Sequence, residues 1–127
     1  MNLLLDTSAL LWWLTEDGRL GQRARAAVAG HGNVVFVSAV SAWEIAIKRS
    51  LGKLRVEGDV AEWIEGEQFT ELPVRGVHAV EAESLPLLHR DPFDRMLIAQ
   101  TRHERMTLVT SDAKIARYEV EILAADR

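Results

Sequence analysis

Apolar positions along this chain come in short unbroken runs separated by longer stretches of helical period. Asn2 to Leu5 is such a run, of the kind buried on both faces of a sheet, and Thr7 to Leu14 (TSALLWWL) reads as a helix that starts directly after Asp6. After the turn-like Glu16-Asp17-Gly18, a second helix is expected from about Leu20 to Ala29, stopped by Gly30-His31-Gly32. Asn33 to Val37 is a β-branched strand, Ser38 to Arg49 a helix ended by Gly52, and Asp59 to Glu67 an amphipathic segment with Val60, Trp63 and Ile64 on one side. Phe69 to Leu72 reads as a short strand before Pro73, and Gly76 to Leu85 as a helix broken at Pro86.

The stretch HRDPFDRMLIAQ then opens another helix, from Pro92 to about Glu104. Asp91 can accept the free first-turn N–H groups, and a proline has no N–H to lose at the first helical position. Thr107 to Thr110 is a buried strand, Ser111-Asp112 leads into a brief helix over Ala113 to Ala116, and Val120 to Leu123 closes the chain as a strand. Strands alternating with helices at this spacing imply βαβ units. The expected fold class is α/β, a three-layer αβα arrangement with a central, mostly parallel sheet, as one domain over residues 1–127 without repeat or linker.

Composition narrows the chemistry. With 48% hydrophobic residues the chain has apolar material for a real core, and with no cysteine it has no disulfide, thiol catalysis or thiolate-held zinc. Any metal must be held by oxygen or imidazole. A formal net charge of -4 argues against coating nucleic acid through bulk electrostatics, but not against a nuclease with local basic rims. No apolar run has the length of a signal peptide or a membrane span, so a cytoplasmic protein with no membrane partner is expected.

In an open parallel sheet, functional groups gather at the carboxyl ends of the strands. Asp6 follows the first strand, Asp112 follows the strand at Thr107, Glu44 lies in the helix after the second strand, and Asp94 sits one turn into the helix opened by Asp91. Each acid alone has a simpler use. Asp6 and Asp112 fit N-caps, Ser41-Ala42-Trp43-Glu44 matches a capping box, and Glu44 with Lys48 makes a helical ion pair worth about 0.3–0.5 kcal/mol. Together they repel, and a cation or shared proton is what compensates such a cluster. Hard oxygen ligands suit Mg²⁺ or Mn²⁺, and the natural chemistry of such a site is phosphodiester hydrolysis.

Four motifs in order, LLLDTSALLWWL, SAVSAWEIAIKRSLGKL, HRDPFDRMLIAQ and LVTSDAKIARY, together make the chain resemble the PIN domain over essentially its full length, and specifically the VapC-type toxin ribonucleases of bacterial toxin–antitoxin pairs. The resemblance implies a metal-dependent endoribonuclease in which Asp6, Glu44, Asp94 and Asp112 hold one or two Mg²⁺ or Mn²⁺ ions that activate a water toward an RNA phosphate. Asp6, Glu44 and Asp94 would be the core and Asp112 would tune the site or hold a second ion. It also implies a VapB-like antitoxin whose C-terminal segment lies in a groove lined by the early helices, and pairing as a homodimer. The alternative is a non-catalytic PIN-like module that binds RNA or protein. A phosphatase of the haloacid dehalogenase type is disfavoured because Ser8, not an acid, stands two residues after Asp6.

Other polar residues have two readings each. Thr7 and Ser8 either contact phosphate or a metal's water or cap the first helix, and Asp91 either caps its helix or stands behind the ligands. Arg95 either pairs with Asp91 four residues before it or clamps a phosphate. His89 and His103 lack the spacing of a zinc site and read as surface or loop residues, with nothing more for His31 and His78. Trp12 and Trp13 point about 100° apart on their helix, so one belongs to the core and the other lies near the surface, where an exposed aromatic suggests a partner.

Overall fold

Leu3, Leu4 and Leu5 are each at most 1% exposed. Side chains alternate across a strand, so a run of three buried leucines requires cover on both faces of the sheet. In the computed structural model, which describes residues 1–127, the strands are β1 (Asn2–Leu5), β2 (Val34–Ser38), β3 (Thr70–Leu72), β4 (Thr107–Thr110) and β5 (Ile122–Ala124). They form one five-stranded sheet in the order β3-β2-β1-β4-β5, and every pairing is parallel. The helices are α1 (Thr7–Leu14), α2 (Gln22–Ala29), α3 (Ala39–Ser50), α4 (Val60–Gly66), α5 (Gly76–Ser84) and α6 (Pro92–His103), with a 3₁₀ turn over Ile115–Arg117.

The alternation sorts the core into two layers. Leu3, Leu5, Val37 and Val109 pack with Ala9 and Leu10 of α1, Ala24 and Val28 of α2, and Ile64 of α4. Leu4 and Leu108 face the other way, against Leu97 and Ile98 of α6 and Ile115 and Tyr118 after β4. Helix α3 takes part in both, with Ile45 in the first layer and Val40 in the second. The expected three-layer α/β fold is therefore present, with a sheet that is parallel throughout.

The element boundaries differ from the sequence reading in a few places. The segment after β4 makes only a 3₁₀ turn, and β5 begins later than expected, where the Leu108 N–H donates to the Glu121 carbonyl at 2.9 Å. Ser38 belongs to β2 and its hydroxyl accepts from the Val40 N–H, so Ser41 does not start a capping box. Neither tryptophan of α1 is fully buried or strongly exposed. The Arg19 guanidinium lies 5.1 Å from the Trp12 ring, while Trp13 packs on Phe69 and donates to Glu67 at 3.1 Å. Each ring is thus partly covered by the chain itself.

The segment joining α5 to α6 is held by Arg95. Its Nη2 donates to the carbonyls of Ala82 and Leu85 at 2.9 and 3.1 Å, and its Nη1 to those of Pro86 and His89 at 3.0 and 3.3 Å. The guanidinium neither pairs with Asp91 nor faces a phosphate site, because backbone carbonyls occupy its donors. A planar fork matches this set in a way an ammonium cannot. Arg95→Lys is therefore expected to lower stability by about 2 kcal/mol in denaturant melts. A change within experimental error would show that the carbonyls find equivalent partners in water.

Candidate active site

Register brings the strand ends level. Leu5 stands opposite Val37 on one side and Val109 on the other, so Asp6, Ser38 and Thr110 come together at the carboxyl edge, where the strand order reverses around β1. Asp6 is only 6% exposed, and its Oδ1 accepts from the Ala9 N–H at 2.7 Å, so it caps α1 while facing the edge. Glu44 is 5% exposed on α3, where Thr7 Oγ1 donates to its Oε1 at 2.6 Å and Lys48 Nζ to its Oε2 at 2.5 Å. Asp94 enters from the first turn of α6 and Asp112 from just beyond β4. All four line a cleft of about 360 Å³ with Thr7, Ser8, Lys48, Asp91 and Ser111, and no hydrophobic side chain reaches it.

One residue at this cluster was not expected. His89 is 8% exposed, and its Nε2 lies 2.9 Å from Asp94 Oδ2 and 3.0 Å from Asp112 Oδ2. The three side chains offer ligand atoms within 4.8 Å of one another. The only local signal was its place two residues before the helix cap. Nothing in the spacing shows that the chain end beyond β4 folds back onto it.

A family model for the PIN domain matches residues 3–121. The chain belongs to the PIN-domain family. It is 28% identical over 117 residues to the ribonuclease VapC22 of Mycobacterium tuberculosis, an alignment covering 90% of this chain and 89% of the relative. Among solved structures it is similar to VapBC2 from Rickettsia felis, crystallised with a DNA fragment from its promoter, with a TM-score of 0.69, 13% identity and coverage of 97% of this chain and 98% of that one. A toxin–antitoxin complex from Klebsiella pneumoniae matches with a TM-score of 0.63, 16% identity and 97% coverage of both chains. At such identities the structural likeness shows the fold.

Two acids of this PIN domain, Asp6 and Asp94, hold protons more tightly than ordinary carboxylates. Burial pushes the Asp6 carboxyl up to about 6, against hydrogen bonds from Thr110 and Ala9, and the charges of Asp112 and Glu44 add to the rise. Asp94 is raised to about 7, first by burial and then by Asp91 and Asp6, with His89 acting in the opposite direction. The Lys48 ammonium is held above its usual range, chiefly by its hydrogen bond to Glu44. Crowded carboxylates that retain protons are asking for positive charge. Oxygen donors without cysteine fit a hard divalent ion, so the residues present suit Mg²⁺ or Mn²⁺. A larger hollow of about 580 Å³ is lined by Thr101, Arg102, Arg105, Met106, Thr107 and Glu119–Glu121, and none of the four acids reaches it.

The remaining candidates sort by contact. Thr7 is the first residue of α1 rather than its cap, and its hydroxyl is turned to Glu44 and lies 3.0 Å from Ser41 Oγ. Ser8 is exposed on the cleft wall. Asp91 caps α6, accepting from the Phe93 and Asp94 N–H groups at 2.8 and 3.2 Å. His31 and His103 are exposed or nearly so, as read. His78 is fully buried instead, its Nδ1 accepting from the Arg75 N–H at 2.9 Å to close the start of α5.

Two outcomes follow. Because Asp6 and Asp94 have folded values above the ordinary 3.8, the folded protein holds more protons than the unfolded chain between about pH 4 and pH 7. Stability from these groups is present at the acid end of that window and is lost as pH rises through about 6 and about 7. In chelator, the melting temperature should fall from pH 5 to pH 8, and Asp94→Asn should flatten that slope; an unchanged slope in the variant would place the linked proton elsewhere. Second, Asp91→Ala removes a cap and should cost about 1 kcal/mol in chelator, whereas Asp94→Asn should be neutral or stabilising. Denaturant melts giving the reverse ranking would show that Asp94 is the structural acid of the pair.

Proposed function

We propose that this PIN domain is a metal-dependent endoribonuclease of the VapC kind, the toxin of a toxin–antitoxin pair, acting in the cytoplasm on RNA phosphodiester bonds. The observation that carries the reading is the cleft itself, in which Asp6, Glu44, Asp94 and Asp112 line one wall-to-wall polar surface and two of them are raised well above ordinary carboxylates. The similarity to a mycobacterial ribonuclease supports the choice of RNA.

Asp6, Glu44 and Asp94 would hold Mg²⁺ or Mn²⁺, with Asp112 tuning the site or serving a second ion. Such an ion, when bound, lowers the pKa of a water and offsets charge gathering on the phosphate. The chain's own part is to orient and to attract. Thr7 and Lys48 pin both oxygens of Glu44, leaving it little freedom to swing. Lys48, with 46% of its side chain exposed, sets a positive charge at the rim of an otherwise acidic cleft, where an incoming phosphate needs it. Ser8 and Ser111 add hydroxyl donors at the same rim. Loading of the cation requires Asp6 and Asp94 to give up their protons, so binding should strengthen as pH rises from 6 to 8.

A VapB-like antitoxin and a second copy of the chain are the proposed protein partners. Trp43, Leu51, Val77, Val80 and Leu87 are exposed apolar residues on α3, on α5 and beside them, side chains that suit contact with a protein partner. The solved neighbours that carry toxin and antitoxin together support the antitoxin.

Millimolar Mg²⁺ or Mn²⁺ should raise the melting temperature, excess chelator should abolish RNA cleavage, and Asp94→Asn should lower turnover by at least about 100-fold while the fold survives. Sequencing of RNA ends after brief expression reads activity and substrate together. Undiminished cleavage in chelator would remove the metal from the mechanism, and absence of new RNA ends would favour a binding module.

A further inference from the structure

We propose that His89 is a positioning residue for the metal-holding acids, its Nε2–H setting the Asp94 and Asp112 carboxylates side by side so that their remaining oxygens face one cation. The inference rests on the proposed function and adds to it a residue outside the acidic quartet. Asp94 and Asp112 come from different elements, α6 and the segment after β4, and nothing else in the structure ties one to the other. His89 is the sole hydrogen-bonding or ion-pair partner of the Asp94 carboxylate. Asp112 keeps one further bond, its Oδ1 accepting from the Lys114 N–H at 2.8 Å.

The imidazole is itself held in place. Its backbone N–H donates to Tyr118 Oη at 2.8 Å, its carbonyl accepts from Arg95, and its Nδ1 faces the Asp91 N–H at 3.4 Å. A ring nitrogen that faces an N–H is the lone-pair side, so the ring hydrogen belongs on Nε2, between the two carboxylates. In that tautomer Nε2 has no lone pair to offer a metal. It donates to Asp112 Oδ2 at 3.0 Å and lies 2.9 Å from Asp94 Oδ2, so both carboxylates are drawn to one ring nitrogen. Partners behind metal ligands act in this way, holding a ligand's direction without adding to its charge. Asp91, Arg95 and Tyr118 then bear on the site through one ring, although none of them needs to touch the ion.

The test uses the full chain with Mn²⁺ alone as probe. Wild type, His89→Ala and His89→Gln are compared by calorimetric Mn²⁺ affinity, by melting temperature in chelator, and by pulsed electron paramagnetic resonance for nitrogen coupled to the bound ion. Expected are Mn²⁺ binding about 10- to 100-fold weaker in His89→Ala and recovery of most of that loss in His89→Gln, whose amide N–H has similar reach. Wild type should show no imidazole nitrogen on the ion. Nitrogen coupling in wild type would make His89 a ligand and overturn the positioning role, as would unchanged affinity in His89→Ala. If the alanine variant does not fold, the glutamine variant decides alone: affinity within about 10-fold of wild type supports the role, and complete loss in a folded protein overturns it. Failure of wild type to bind Mn²⁺ at all would overturn the proposed function and this inference with it. Normal wild-type binding with an unaffected His89→Ala removes this inference only.

Discussion

Mutual repulsion among carboxylates at the end of a parallel sheet is the constraint on which the rest of this structure depends. Burial disfavours the charged forms of Asp6 and Asp94 first, and the neighbouring carboxylates add to it, so both acids hold protons above the ordinary range. The fold tolerates it because each acid is also tied to something that favours its place. Asp6 accepts a helix-start N–H, Glu44 receives Thr7 and Lys48, and Asp94 and Asp112 share His89. Each acid of the cleft therefore has a structural partner beside the role proposed for it, and the two do not compete.

Those ties reach back into the core. Helix α3 can carry Glu44 to the strand ends because Val40 and Ile45 anchor it in the layers on opposite faces of the sheet. The segment before α6 can present His89 because the Arg95 fork gathers its carbonyls and Tyr118 Oη receives two of its N–H groups. A substitution at Arg95 or Tyr118 should thus be felt at the cleft without any contact with a cation or substrate.

Local pattern made much of this readable in advance. The buried leucine run of β1, the Asp91-Pro92 helix start and the Gly52 helix stop each depend on neighbours within a few residues, and each element formed close to its expected bounds. The convergence of Asp6, Glu44, Asp94 and Asp112 followed from the rule that loops at one edge of a parallel sheet meet. Errors fell where partners are remote in the chain. Near-neighbour rules give Arg95 to Asp91 or to a phosphate, yet its donors go to carbonyls from Ala82 to His89; they make Thr7 a cap or a contact to phosphate or a metal's water, yet its hydroxyl is turned to Glu44.

By itself the sequence determined the order and kind of elements, the parallel sheet, the lack of cysteine and which acids stand at the strand ends, because these rest on short-range sterics, on the period of apolar positions and on which side chains exist at all. Only the tertiary structure decided that His89 is buried between two carboxylates and that His78 serves as a helix-start acceptor rather than a surface group. It also decided which way each hydroxyl and guanidinium turns. A polar side chain takes the best partner within reach, and reach in space is set by packing of elements that lie far apart in the chain.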